Sequence, residues 1–187
     1  MNITFVNQKG GVGKTTVTLL AAAVLKKAGF DLAIQDTDPQ GSAKLIAPNI
    51  LDIPLLEDHQ NAEYVLIDTP PRLDEKHMKN IFIKSDRIVL VTMKNPLDML
   101  AAQPMAELIR KYKEKNSKPY VLFNNVEKNT VIGQQETLEL AAMVKLKPLN
   151  CVIPHSTKYA RLATDGISAV TGKLREAVLN VVLEILK

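Results

Sequence analysis

Two lysines, three glycines and two threonines crowd into the eight positions Lys9-Gly10-Gly11-Val12-Gly13-Lys14-Thr15-Thr16. Glycines at this density let a backbone wrap closely around phosphate oxygens and aim its N–H groups inward. A following Lys-Thr pair adds a cation and a hydroxyl able to reach a magnesium ion. The general pattern G-x-x-x-x-G-K-[ST] would begin at Gln8 or Lys9, where the ordinary loop carries glycine. What stands there is the deviant Walker A form, with an extra lysine near its start. The alternative is a Gly-rich turn with surface lysines. Context argues against it: Asn2 to Val6 reads as a short strand and Thr16 to Lys27 as a helix, which places a helix N-terminus under the anion.

Carboxylates follow the next two strand patterns. Asp36-Thr37-Asp38-Pro39-Gln40 comes after Leu32-Ala33-Ile34, and Asp68-Thr69-Pro70-Pro71 after Tyr64-Val65-Leu66-Ile67. Acidic groups beside a phosphate loop repel a nucleotide unless a cation lies between them. Mg²⁺ held by Thr15, phosphate oxygens and water, with the nearby carboxylates ordering those waters and Asp68 in the position of a Walker B carboxylate, solves that problem. An Asp ending a strand is also a common turn-former; three of them after the right strands are harder to dismiss.

The elements that must position these residues alternate between strand and helix along the whole chain. That order predicts an α/β fold with a mostly parallel central sheet covered by helices on both faces, ligands lying at the carboxyl ends of the strands. Helices are expected at 16–28, 75–84, 97–115 and near 134–145, with a terminal helix over 174–187. Further strands are expected at 87–91, 120–123 and 151–153. Residues 40 to 47 suit a short helix, whereas Pro48 to Gln60 reads as irregular.

The chain has 187 residues, 46% hydrophobic, 24% charged and 4% aromatic, with a net charge of +4. This suits one ordinary domain spanning 1–187. Scarce aromatics and absent tryptophan disfavour nucleic-acid binding by base stacking. The single Cys151 rules out an intramolecular disulfide or a cysteine cluster built within one chain, and its apolar surroundings predict a small buried core residue. No run approaches the roughly 18–20 apolar residues of a membrane span. The first strand begins at once, so neither a signal peptide nor an N-terminal extension is expected, and the location expected is cytoplasmic.

Three stretches in this order and spacing, KGGVGKTT at 9–16, DTDPQGSA at 36–43 and LIDTPP at 66–71, give the chain a resemblance to the ParA branch of the ParA/MinD ATPases. PLDML at 96–100 and the tail at 153–170 look like the corresponding family segments. The small, single-domain partition ATPases are the most similar, and their fold is of the P-loop NTPase kind. The resemblance implies ATP and Mg²⁺ as cofactors, slow ATP hydrolysis stimulated by an adaptor, and a homodimer that sandwiches the nucleotides. Lys14 would then hold phosphates within its own subunit, while Lys9 would reach across to the partner's nucleotide. Asp38 matches the position that orients the attacking water, and Asp36 one that supports the magnesium shell. Gly10, Gly11, Val12, Gly13 and Thr16 complete the nucleotide loop. Asn124 or Asn125, at the end of the fifth strand, would meet adenine, although Asn at a strand end is also a turn residue. Pro154 lies in a stretch that lines the base in relatives, and His155 stands where many carry arginine.

From residue 141 onward seven lysines and arginines face three acidic residues, and a second basic cluster, Arg110 to Lys118, ends the long helix. Solvated surface explains such patterns equally well. The resemblance adds another reading, in which Lys158, Arg161, Lys173 and Arg175 bind DNA without sequence preference in the ATP dimer, giving a nucleoid-associated location. The implied function is positioning or segregation of a plasmid, chromosome or other cargo through an adaptor such as a ParB-like centromere-binding protein. A MinD-like membrane cycle is the alternative, and an ATP-bound structural clamp a third. The terminal run carries Glu176 and Glu184 and reads as a helix packed on the sheet, so no membrane partner is expected.

Overall fold

The computed structural model describes residues 1–127, 130 and 136–187. Apolar runs that lack a polar alternation become strands covered on both faces, as parallel sheets require. They are β1 (Asn2–Val6), β2 (Leu32–Asp36), β3 (Tyr64–Asp68), β4 (Arg87–Met93), β5 (Lys118–Asn124) and β6 (Lys147–Pro148). Their order is β2-β3-β1-β4-β5-β6, and every pairing is parallel. The chain leaves β1 toward one edge and later returns to its other side, so β1 marks the switch point where such sheets bind ligands. Register completes the placement: Asp36 pairs with Asp68, and Asp68 with Phe5. The carboxylates therefore finish level with the start of the glycine loop.

Among the described residues seven helices cover the sheet: α1 (Lys14–Lys27), α2 (Ser42–Ile50), α3 (Glu75–Phe82), α4 (Pro96–Tyr112), α5 (Thr137–Ala142), α6 (Leu162–Asp165) and α7 (Gly172–Leu186). One layer packs α1, α2 and α7 against Ile3, Phe5, Val89, Val91 and Leu122. The opposite layer packs α3, α4 and α5 against Ile88, Leu90, Val121 and Phe123. Alternate residues of β4 and β5 thus feed the two cores. Helix α1 is buried almost all round from Val17 to Leu25, which explains why its sequence shows little polar face. Helix α7 buries Val178, Val181, Val182 and Ile185, each worth roughly 1.5–3 kcal/mol when fully covered. The buried Arg87 donates from Nε to the Ile185 carbonyl at 2.8 Å and fastens the end of α7 to β4.

The largest departures from the sequence expectation fall at three places. Helix α2 runs through Pro48 to Ile50. The proline removes a single N–H, and it lies on the exposed face, where water can serve the Lys44 carbonyl. The segment after it is not wholly irregular, because Pro54 and Leu56 bond to Ile34 and cover the outer edge of β2. The sixth strand is Lys147–Pro148 and not 151–153. Past Pro148 the chain keeps only spaced bonds to β5, Leu149 to Val121 and Ile153 to Phe123, while Glu184 takes the N–H groups of Asn150 and Cys151. Cys151 is accordingly half-buried rather than a core residue. The helix expected from Gln134 begins at Thr137; Gln134 and Gln135 lie outside the described residues.

Candidate nucleotide site

The glycine loop joins β1 to α1, and its shape depends on two asparagines. Buried Asn7 donates to the Val91 carbonyl at 2.8 Å and accepts from the Lys9 N–H at 3.0 Å, tying the loop's entry to β4. Asn124, at the end of β5, donates to the Val12 carbonyl at 2.8 Å and ties its exit. Gly13 precedes α1 with a φ of 89°, and an added Cβ would lie 2.4 Å from the Asn124 amide nitrogen. Glycine is thus required there by both backbone and space. The first N–H groups of α1 are left open toward the loop, the arrangement that receives an anion.

Beneath the loop Lys14, Thr15 and Asp68 converge. Lys14 is buried; burial lowers its pKa, while Asp68 and Asp38 pull it back up. Asp68 is almost fully covered, and burial pushes its carboxyl up to about 6; Asp36 and Asp38 push the same way, against a hydrogen bond from Thr15 and the charge of Lys14. Asp36 accepts the N–H groups of Asp38 and Lys44, both at 2.9 Å, so it braces its own loop and reaches the site through its charge on Asp68. Asp38 accepts from the Gln40 N–H at 2.9 Å. Thr37 Oγ1 donates to the Asp68 carbonyl at 2.7 Å, which holds the β2 loop over the end of β3.

These residues fit Mg²⁺. The Thr15 hydroxyl and the Asp68 carboxylate lie together, and a cation between them would relieve a buried charge that has few donors. No group of three or more His, Cys, Asp or Glu suited to a metal occurs among the described residues, so an all-protein cage is not built here. Magnesium shared with phosphate oxygens and water matches that ligand count.

Asp68 also sets a pH dependence. The folded chain holds this proton more tightly than the unfolded chain, so the contribution to stability is present below pH 3.8 and is lost as pH rises through about 6. Without magnesium, Asp68→Asn is expected to leave stability near pH 4 almost unchanged and to raise it near pH 8 by on the order of 2–3 kcal/mol. Urea midpoints at both pH values test this. An equal effect at both would show that Asp68 is not held neutral by its surroundings.

Lys9 points elsewhere. Its ammonium is ion-paired to the buried carboxylate of Asp98, in the first turn of α4, while 45% of its side chain stays exposed. Asn95 caps α4, accepting the Asp98 N–H at 2.9 Å. Sequence inspection singled out neither Asn7 nor Asp98. The run NPLDM signals a helix start, with Asn at the cap and Pro at the first position, but the partner of its Asp is far along the chain.

Of the other candidates, Asn125 sits at a φ of 57° and its Oδ1 meets His155 Nδ1 at 2.6 Å. Pro154 bridges to Val126 beside them, so Asn125, Pro154 and His155 form one cluster at the end of β5, whereas Asn124 faces the loop. Lys158 and Arg161 lie on a 3₁₀ turn, and Lys173 and Arg175 in the first turn of α7; all four are exposed, and Arg161 pairs with Asp165.

Comparison with known proteins agrees with this geometry. Residues 3–169 match the family described as the CobQ/CobB/MinD/ParA nucleotide binding domain. A curated relative, maintenance of carboxysome distribution protein A from Halothiobacillus neapolitanus, is 26% identical over 87% of this chain and 83% of its own. Among solved structures, a chain of the MinC:MinD cell division protein complex of Aquifex aeolicus superposes with a TM-score of 0.78 at 17% identity, covering 99% of this chain and 95% of that one. The septum site-determining protein MinD of Pyrococcus horikoshii OT3, complexed with Mg-ADP, gives 0.74 at 18% identity over 100% and 96%. Both share the fold.

Proposed function

Because the chain belongs to the CobQ/CobB/MinD/ParA nucleotide-binding domain family, we propose that it is an ATP-hydrolysing dimerisation switch that positions a large cargo. Its ligands are ATP and Mg²⁺. The observation that carries this reading is the opposite orientation of the two loop lysines. Lys14 turns inward to the site of the phosphates, and Lys9 turns outward to α4. A lysine at the rim of the loop suits a nucleotide in another subunit. Beside it Leu97 and Leu100, on the first turns of α4, are 78% and 50% exposed, apolar surface placed where a second copy would lie.

In the sandwich each Lys9 leaves Asp98 and faces the partner's phosphates, where a desolvated cation stabilises developing charge. Asp38 orients the attacking water and Asp36 and Asp68 order the magnesium shell. Asn125 and Pro154 border the adenine, while Asn124 holds the loop. The name of the Halothiobacillus relative favours a protein assembly over a plasmid as cargo, with an adaptor that triggers hydrolysis.

The ATP dimer holds nonspecific DNA through Lys158, Arg161, Lys173 and Arg175. Support for this over a membrane cycle comes from α7, which spends Val178, Val181, Val182 and Ile185 on the core and leaves Leu183 as its one large exposed apolar residue, too little to hold a bilayer. Among the described residues no helix is long and apolar enough to cross a membrane. Fluorescence anisotropy with unrelated duplexes is the test. Binding should require ATP with magnesium and fall with salt at a log–log slope of about −0.9 per phosphate neutralised. Arg161→Glu with Lys173→Glu should weaken it and spare dimerisation. A dimer that ignores DNA at low salt but binds anionic liposomes would replace this reading with the membrane cycle.

A further inference from the structure

The end of the sheet away from the glycine loop holds a groove of about 910 Å³ between α7 and the strands β5 and β6. Its rim carries Arg110, Lys113, Lys118, Lys145, Lys147 and Lys187. Among the described residues none of these six forms an ion pair with an Asp or Glu side chain, unlike Lys9, Lys26, Lys44, Lys111 and Arg161 elsewhere on the chain, although Lys118 donates to the Lys187 carbonyl oxygen at 2.7 Å and Arg110 to the Val144 carbonyl. Glu184 is the one acid of the lining, and its carboxylate is already occupied by the N–H groups of Asn150 and Cys151 and the Asn150 amide. The floor is apolar: Tyr120 and Leu146 lie below, and Leu183 stands 44% exposed on the α7 wall.

We propose that this groove docks an acidic segment of a partner protein, an extended stretch whose carboxylates flank an apolar side chain. The inference goes beyond the nucleotide switch and uses none of its residues. Charge complementarity identifies the occupant, since six cations gather around a single acidic side chain whose oxygens are already hydrogen-bonded to Asn150 and Cys151. Helix ends account for only some of them. Lys118 and Lys147 stand on neighbouring strands, where Tyr120 pairs with Lys147, so both flank the same aromatic floor. A recessed apolar floor with a cationic rim suits a peptide with an anchoring side chain. A duplex backbone would meet the rim and leave the floor unfilled. Lysine and proline on a two-residue edge strand also block strand addition, so the segment is read by side chains and not by an extended sheet.

The test uses the full chain and a fluorescein-labelled peptide of alternating glutamate and leucine, followed by anisotropy at low salt. Saturable binding is expected, weakened about tenfold or more by Lys118→Glu with Lys147→Glu. ATP binding by the same variant should match the wild type, which separates this site from the nucleotide reading. Amide shifts in ¹⁵N-labelled wild-type chain should centre on Tyr120, Leu146 and Leu183, and this stands even if the double variant folds poorly. The proposal is overturned if the peptide does not saturate, if reversal leaves binding unchanged, or if shifts fall elsewhere. Displacement of the peptide by duplex DNA bound at these residues would likewise overturn it and make the groove a nucleic-acid face.

Discussion

Lys14→Ala is expected to abolish useful ATP binding while leaving the fold intact. Lys14 is 6% exposed and is the cation nearest the place the loop makes for phosphates. Without it, Asp68 and Asp38 face the triphosphate with no protein charge between them. Truncating one member of a buried charged contact costs about 2–5 kcal/mol, a weakening of roughly thirtyfold to several thousandfold. Removing a desolvated ammonium also removes its burial penalty, so the thermal midpoint should change little. Titration calorimetry with ATP and magnesium measures the loss. An affinity within about tenfold of the wild type would show that the phosphates sit elsewhere.

Lys9→Ala is expected to separate binding from assembly. ATP affinity should stay close to the wild type, because Lys9 turns away from its own loop, while ATP-driven dimerisation and hydrolysis should fall by about a hundredfold or more. The substitution has a second consequence inside one chain. Asp98 is 5% exposed and loses its cation, although Lys9 is half exposed and screened by water, so the cost to stability is only about 1 kcal/mol. Pairing Lys9→Ala with Asp98→Asn should restore that stability without restoring dimerisation. Recovery of both in the double variant would mean that Lys9 acts through α4 and not on a second nucleotide.

The glycine loop, the two carboxylate-ended strands and the order of helices were legible because each rests on local pattern. Parallel strands buried on both faces read as apolar runs, and a loop built from Gly10, Gly11 and Gly13 allows few other uses. What escaped depends on contacts between distant residues. Asp98 meets Lys9 across 89 positions, and Asn7 meets the Val91 carbonyl across 84. Nothing near either residue announces the partner. The run Cys151-Val152-Ile153 has strand composition, but Glu184 on α7 captures the neighbouring N–H groups, so the ladder stops at Pro148. Asn124 shows the same dependence on distant contacts: its place at a strand end is equally that of a turn residue, and only the fold brings its amide to the Val12 carbonyl and against Gly13.

The most direct measurement is the mass of the wild-type chain by sedimentation equilibrium with magnesium and either ADP or a slowly hydrolysed ATP analogue. The switch requires a monomer of 20.7 kDa with ADP and twice that mass with the analogue, reverting when the analogue is exchanged for ADP. The same mass in both nucleotides, whether monomer or dimer, would contradict it.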